Sequence, residues 1–483
     1  MICGFPAQPT VQAGAEVVLH VSTDAPQFRV DFYRWGGRGL SWTAGSGWLD
    51  GCCVPDHLPH QDWSVAGVGL RGEQLEPWPG HSFPVSPDWR PGVYVAVLIE
   101  GDGRGQSRTW PQRTLPDARD GQALFVVGGL ERGPSSGLAA RAGTPILYKV
   151  PLLTYAAYNQ VSPQPYEVGR GQGGWCLYTV PRPELLPVAV PPSVSLRRPG
   201  GGTGGTPWDL ANFDPFDPTP RQTFVHWDAP FLGWLERHGY RVDYCTDLDL
   251  HREGPELLRT HRLLVSAGHD EYWSDAMRAA AEDYVATGGN VAFFGGNTCW
   301  WRVSFDDDAS FRRTGFWWER DRPENSLTGV SFRNGGERDR NDHPVPVGYR
   351  VQHADHWIFA GTGLVDGDAI GAGPDEYVVG YECDGAHFDR ADLGRGLPVN
   401  ATGDDGTPAG FAILGVGDVA ESGWGLGNRA ATMGLYTRGG TVFNAATTDW
   451  ARVLAGGRSP VIEQITANVL DRLGGRSASA AGR

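Results

Sequence analysis

Short alternations of apolar and polar residues mark the first hundred residues of the chain. Residues 16–22 (EVVLHVS) and 28–35 (FRVDFYRW) alternate between Gly, Pro, Asp and Ser, and 92–101 (GVYVAVLIEG) is a third such run, entered through Trp89, Arg90 and Pro91. Side chains alternate across a strand, so these runs predict β-strands. Several short strands with turn residues between them and no helical period predict a sandwich.

From about residue 122 the pattern changes. Residues 123–127 (ALFVV) and 145–150 (PILYKV) are continuous apolar runs, as fully buried strands are. A Gly/Pro-rich insert follows over 159–221, a length at which a loop is usually functional or mobile. The most legible part is 224–303. Residues 231–238 read as a helix, 241–244 lead into a strand, 253–260 form a short helix and 262–266 a strand. An Ala-rich amphipathic helix over 274–287, with Ser274 as its N-cap, ends at Gly288 and Gly289, and 290–294 (NVAFF) is the next strand. This alternation implies a parallel sheet with right-handed crossovers. Residues 377–381 and 441–444 predict further strands, and 460–473 a last helix before a frayed tail.

Length and charge narrow the picture. At 483 residues two domains are expected: 1–118 as a β-sandwich and 119–483 as an α/β domain carrying the insert. A net charge of −15 with dispersed basic residues speaks against nucleic acid as a partner. Lys149 is the only lysine, so any Schiff-base chemistry would have to rest on it. No stretch approaches the ~18 apolar residues of a membrane span, and no signal-peptide pattern opens the chain. Seven cysteines without metal spacing suit free thiols in a reducing cytoplasm.

Ligands bind beyond the carboxyl ends of parallel strands. One such end runs into His269, Asp270, Glu271, Tyr272 and Trp273, the next into Asn297, Thr298, Cys299 and Trp300. The bland reading of the first is a solvated loop capping the following helix. Cys299 stands too far past its strand for a nucleophile on a tight turn, no GxSxG elbow is present, and 201–205 (GGTGG) lacks the lysine of a phosphate loop. What remains is a carboxylate beside a histidine, with tyrosines elsewhere. Such hard oxygen ligands suit a hard cation such as Fe(III), which could polarise an amide carbonyl and acidify water.

Long motifs carry a family resemblance: 157–159 (AYN), 177–178 (LY), 231–251 (FLGWLERHGYRVDYCTDLDLH), 266–274 (SAGHDEYWS) and 288–303 (GGNVAFFGGNTCWWRV). With 30–34 and 89–95 of the β part, they resemble the large subunit of N,N-dimethylformamidase, C-terminal domain. The resemblance implies an Ig-like β-sandwich followed by a glutamine-amidotransferase-like (flavodoxin-like) α/β domain. It also implies a mononuclear Fe(III) site of two tyrosines and one glutamate that hydrolyses the C–N bond of a small, formamide-like amide. Glu271 matches the carboxylate ligand, with Tyr158 and Tyr178 as the tyrosines and Tyr155 as a competitor. His269 would pass a proton to the leaving amine or orient Glu271. Asn297 would hold the substrate carbonyl or the attacking water, and Glu382 would act as base unless it is a surface glutamate. The family's enzyme has a longer large subunit and a small subunit, so a homo-oligomer or a small accessory subunit are the partners to consider. The alternative is a non-catalytic amidotransferase-like protein that binds carbohydrate or protein, its tryptophans serving as stacking platforms.

Overall fold

The computed structural model describes residues 2–54, 78–106, 121–128, 145–159, 177, 193–203, 219, 221–337, 347–373, 376–421 and 425–475. The N-terminal strands form two sheets. Ile2–Pro6 (β1), Glu16–Thr23 (β3) and Gly80–Pro84 (β7) are ordered β1-β3-β7. Thr10–Gln12 (β2), Gln27–Gly36 (β4), Gly39–Gly45 (β5), Gly92–Gly101 (β8) and Gln122–Gly128 (β9) are ordered β2-β9-β8-β4-β5, with Leu49–Asp50 (β6) paired to β4. Val17, Leu19 and Phe83 of the smaller sheet meet Val30, Phe32 and Phe125 of the larger in one apolar core. The two N-terminal sheets thus share one core.

β9 lies past the expected boundary at 118/119, yet it pairs antiparallel with β8 and belongs to the N-terminal sheet. Its continuous apolar run has a simple cause. Ala123, Phe125 and Val127 point into the sandwich, whereas Leu124 and Val126 join the core of the α/β part. A strand covered on both faces shows no polar alternation, whichever sheet it belongs to.

The α/β part is a nine-stranded mixed sheet. Ile146–Val150 (β10), Val242–Thr246 (β12), Leu263–His269 (β13), Asn290–Gly296 (β15) and Gly440–Asn444 (β24) run parallel in the order β12-β10-β13-β15-β24. Four antiparallel strands with little periodicity in their residues extend it: Ala430–Arg438 (β23), Ala412–Asp418 (β22), Tyr349–Val351 (β19) and Ala369–Ile370 (β20). Alternate residues of the parallel strands feed opposite cores. Ile146, Tyr148, Val265 and Phe294 pack with Ala229–Arg237 and Pro460–Gly474, while Leu147, Leu264 and Phe293 pack with the helix Asp275–Ala286. Helices on both faces explain why these strands read as unbroken apolar runs.

Smaller elements frame the strand ends. Val194–Ser195 (β11), Tyr272–Ser274 (β14), Trp301–Phe305 (β16) and Ser310–Phe316 (β17) form a sheet ordered β11-β17-β16-β14, and Ser331–Glu337 (β18) pairs with Glu382–Gly385 (β21). The expected helix over 253–260 divides. Asp247–Glu253, closed by a Thr246/Asp249 capping box, ends at Gly254 (φ +58°), and Pro255–Leu258 restarts. The strand expected over 377–381 does not form; there only Val379 bridges Val347 among the described residues. Its apolar residues are buried by packing rather than by a ladder. Ser274 caps its helix as expected, accepting from the Met277 amide.

Candidate active site

In chain order the five parallel strands lie 2-1-3-4-5, so the direction of winding reverses between β10 and β13. A crevice opens beyond the carboxyl ends of the strands at such a point. β10 is followed by the helix Leu152–Tyr158, and β13 ends at His269. Gly268 makes that end fit: its φ is +69°, and a Cβ there would come within 2.5 Å of the Trp227 side chain. An L-residue would meet both backbone strain and overlap.

Five residues singled out from the sequence meet in this crevice, each 6% exposed or less: Tyr158, His269, Glu271, Asn297 and Glu382. The Tyr158 hydroxyl donates to Glu271 Oε2 at 2.9 Å. Asn297 Nδ2 donates to Glu271 Oε1 (3.2 Å) and to Glu382 Oε2 (3.1 Å), spanning the two carboxylates. His269 Nε2 lies 2.6 Å from Glu382 Oε2 and 3.5 Å from Glu271 Oε2. Glu382 is thus a buried member of the cluster rather than a surface strand end. The Glu271 amide donates to Thr154 Oγ1 at 2.9 Å, tying the turn to the Tyr158 helix. Tyr155 is directed elsewhere, its hydroxyl donating to Asp228. Tyr178 lies outside the described residues, as does most of the 159–221 insert; its neighbour Leu177 donates its backbone N–H to Ala157 O at 2.9 Å.

Two supporting residues escaped the sequence reading. Gln222 is fully buried at φ +61°, and its Oε1 lies 2.8 Å from His269 Nδ1. With this oxygen as acceptor, Nδ1 carries a hydrogen and Nε2 is turned toward the carboxylates. Asp384 accepts the backbone N–H of Asn297 (2.9 Å) and of Thr298 (3.2 Å). These bonds hold Asn297 at φ +49°, a left-handed conformation that needs such local support. An unusual φ has no signature in the residue name, although Asn tolerates it better than most.

Burial pushes the Asp384 carboxyl up to about 8, against the pull of the Thr298 and Asn297 amides. Unfolded, the group ionises near 3.8. Between those values the folded chain holds the extra proton. This contribution to stability is complete below about pH 4 and is lost as pH rises through about 8. Urea midpoints measured from pH 5 to pH 9 should therefore fall more steeply for the native chain than for Asp384→Asn. Parallel curves would refute this assignment.

As a class, the molecule is a mixed α/β protein with a buried phenol–carboxylate–imidazole cluster at the carboxyl ends of parallel strands, which is where α/β enzymes place their chemistry. Comparison with known sequences specifies it further. The chain belongs to the N,N-dimethylformamidase beta subunit-like family, whose C-terminal model matches residues 29–464. It is 28% identical over 224 residues to the N,N-dimethylformamidase beta subunit of Alcaligenes sp, covering 38% of this chain and 27% of that one. The match to the N,N-dimethylformamidase beta subunit of Paracoccus aminophilus is 28% over 219 residues with the same coverage. The matches thus span about a quarter of these relatives' own length. Among the described residues no helix is long and apolar enough to cross a membrane. Cys3, Cys52, Cys53 and Cys299 are free thiols.

Proposed function

We propose that the protein hydrolyses the C–N bond of a small, formamide-like amide at a mononuclear Fe(III) centre held by Tyr158, Glu271 and Tyr178. The observation that carries this reading is the pairing of the Tyr158 phenol with Glu271 Oε2 at 2.9 Å in a buried crevice. A phenol oxygen and a carboxylate oxygen placed side by side could both be donated to one cation held there. Asn297 Oδ1 is buried beside them with no hydrogen-bond partner among the described residues, a polar atom that bound substrate or water would satisfy. Among the described residues no group of three or more His, Cys, Asp or Glu could hold a metal, so the proposed centre depends on tyrosine oxygens as well. The donors are hard oxygens, matched to a hard cation.

When bound, the ion supplies Lewis acidity toward an amide carbonyl and water. The remaining work falls to the chain. Asn297 orients the reacting oxygen, His269 holds a transferable proton at Nε2, and Glu382 shares it. Gln222 fixes the imidazole ring, and burial keeps bulk water out. The strand order 2-1-3-4-5 supports a flavodoxin-like, amidotransferase-like reading of the α/β domain. Two packed, mainly antiparallel sheets support an Ig-like reading of the N-terminal part. Because its relatives are named beta subunits, we read the chain as working with copies of itself or with a small accessory subunit, and we place it in the cytoplasm, whose reducing conditions suit its free thiols.

The test is a visible spectrum and elemental analysis of protein purified without chelator, followed by dimethylamine release from N,N-dimethylformamide under argon. A phenolate-to-ferric band with oxygen-independent turnover is the expected result. Colourless, metal-free and inactive protein would overturn it.

A further inference from the structure

Lys149, the only lysine among the 41 Lys and Arg residues of the chain, is fully buried in β10. Its Nζ donates to Asp247 Oδ1 (2.5 Å) and to Asp270 Oδ1 (2.7 Å), and it lies 4.7 Å from the centre of the Trp273 ring. Both carboxylates are in turn fastened to the elements that carry the site. Asp247 Oδ2 accepts the backbone N–H of Leu153, in the first turn of the helix ending at Tyr158. Asp270 stands between His269 and Glu271; its Oδ2 accepts from Ser266 Oγ (2.6 Å) and its Oδ1 from Trp273 Nε1 (3.0 Å). A single point charge thus joins the start of the tyrosine helix to the turn that carries the glutamate. Burial alone would weaken the ammonium, but the charges of Asp247 and Asp270 outweigh it and keep it protonated.

We propose that Lys149 is a positioning residue: the Asp247–Lys149–Asp270 bridge sets the spacing of Tyr158 and Glu271. The proposal rests on the reading of that pair as the metal-holding oxygens. A compact ammonium suits the place. Its three donors reach two carboxylates and an aromatic face, whereas a guanidinium would need a wider, planar gap. The bridge stabilises the fold as well, so the test has to separate alignment from stability. Lys149→Met alone leaves two buried carboxylates facing each other, which destabilises the fold whatever the role of the bridge. The decisive protein is Lys149→Met/Asp247→Asn/Asp270→Asn, which removes all three charges together.

Three readouts are compared with the native chain: the Tyr158 Oη to Glu271 Oε2 distance in crystals of metal-free protein, the charge-transfer band on titration with ferric nitrilotriacetate, and the kinetics with N,N-dimethylformamide. The triple variant is expected to fold, to lengthen the 2.9 Å spacing, and to shift or lose the band. Its kcat should fall about 100-fold with KM changed less than about threefold, the penalty of a misplaced site. Lys149→Arg, which restores the charge, should fall between the native chain and the triple variant in kcat. A folded triple variant with unchanged spacing, band and kcat would overturn the proposal and leave Lys149 a stability residue. If even the native chain binds no iron and turns over no amide, the functional reading fails, and the metal-free spacing still decides the role of Lys149.

Discussion

Glu271→Gln is expected to fold like the native chain while losing metal and turnover together, with kcat/KM down roughly a thousandfold or more. The substitution keeps the side chain's shape. An amide oxygen can still accept from Tyr158 or Asn297, whose bonds to Glu271 are 2.9 Å and 3.2 Å long. The backbone contacts of residue 271, from its N–H to Thr154 Oγ1 and from Trp301 N–H to its carbonyl, do not depend on the side chain. What disappears is the negative charge, the property a ferric ion needs from this ligand. Glu271→Ala should lose the same function and also stability, because the Tyr158 hydroxyl and the Asn297 amide then give up a buried acceptor, at about 1–3 kcal/mol for each group left unsatisfied. Elemental analysis beside steady-state kinetics distinguishes the outcomes. A Glu271→Gln protein with full iron and full turnover would sink the proposed centre.

The residues that meet in the crevice were legible in the sequence because its strongest signals stand at strand ends. β13 and β15 are apolar runs that pass directly into polar residues, and in parallel sheets that transition marks the ligand side. Distance in sequence hid the rest. Lys149 was conspicuous as the only lysine, but its partners stand 98 and 121 positions away, and no local pattern announces a bridge of that span. Gln222 lies on a loop at positive φ, without periodicity to flag it. β9 was assigned across the domain boundary because burial on both faces erased the alternation that marks a sandwich strand. The antiparallel half of the large sheet was faint because β22 (AILGVGD) and β23 (AATMGLYTR) carry glycines, which lack a side chain to pack and so weaken the strand signal.

His269 and Glu382 are expected to act as one unit, and a double-mutant cycle tests this directly. With Gln222 Oε1 as acceptor, His269 Nδ1 keeps its hydrogen, and Nε2 faces Glu382 Oε2 at 2.6 Å. Under the proposed function the two side chains share one transferable proton, the one passed to the departing amine. Removing either partner strands it: His269→Gln deletes its carrier, and Glu382→Gln deletes the carboxylate that returns it. Each single variant should therefore lose about 10²–10⁴-fold in kcat, the usual worth of a positioned acid–base group. The double variant should lose little more than the worse single, because groups that work as a unit are not additive. Iron content should survive in all three, since the proposed ligands are untouched. Single-variant losses that multiply in the double variant would mean that His269 and Glu382 serve separate steps, and the shared-proton arrangement would have to be abandoned.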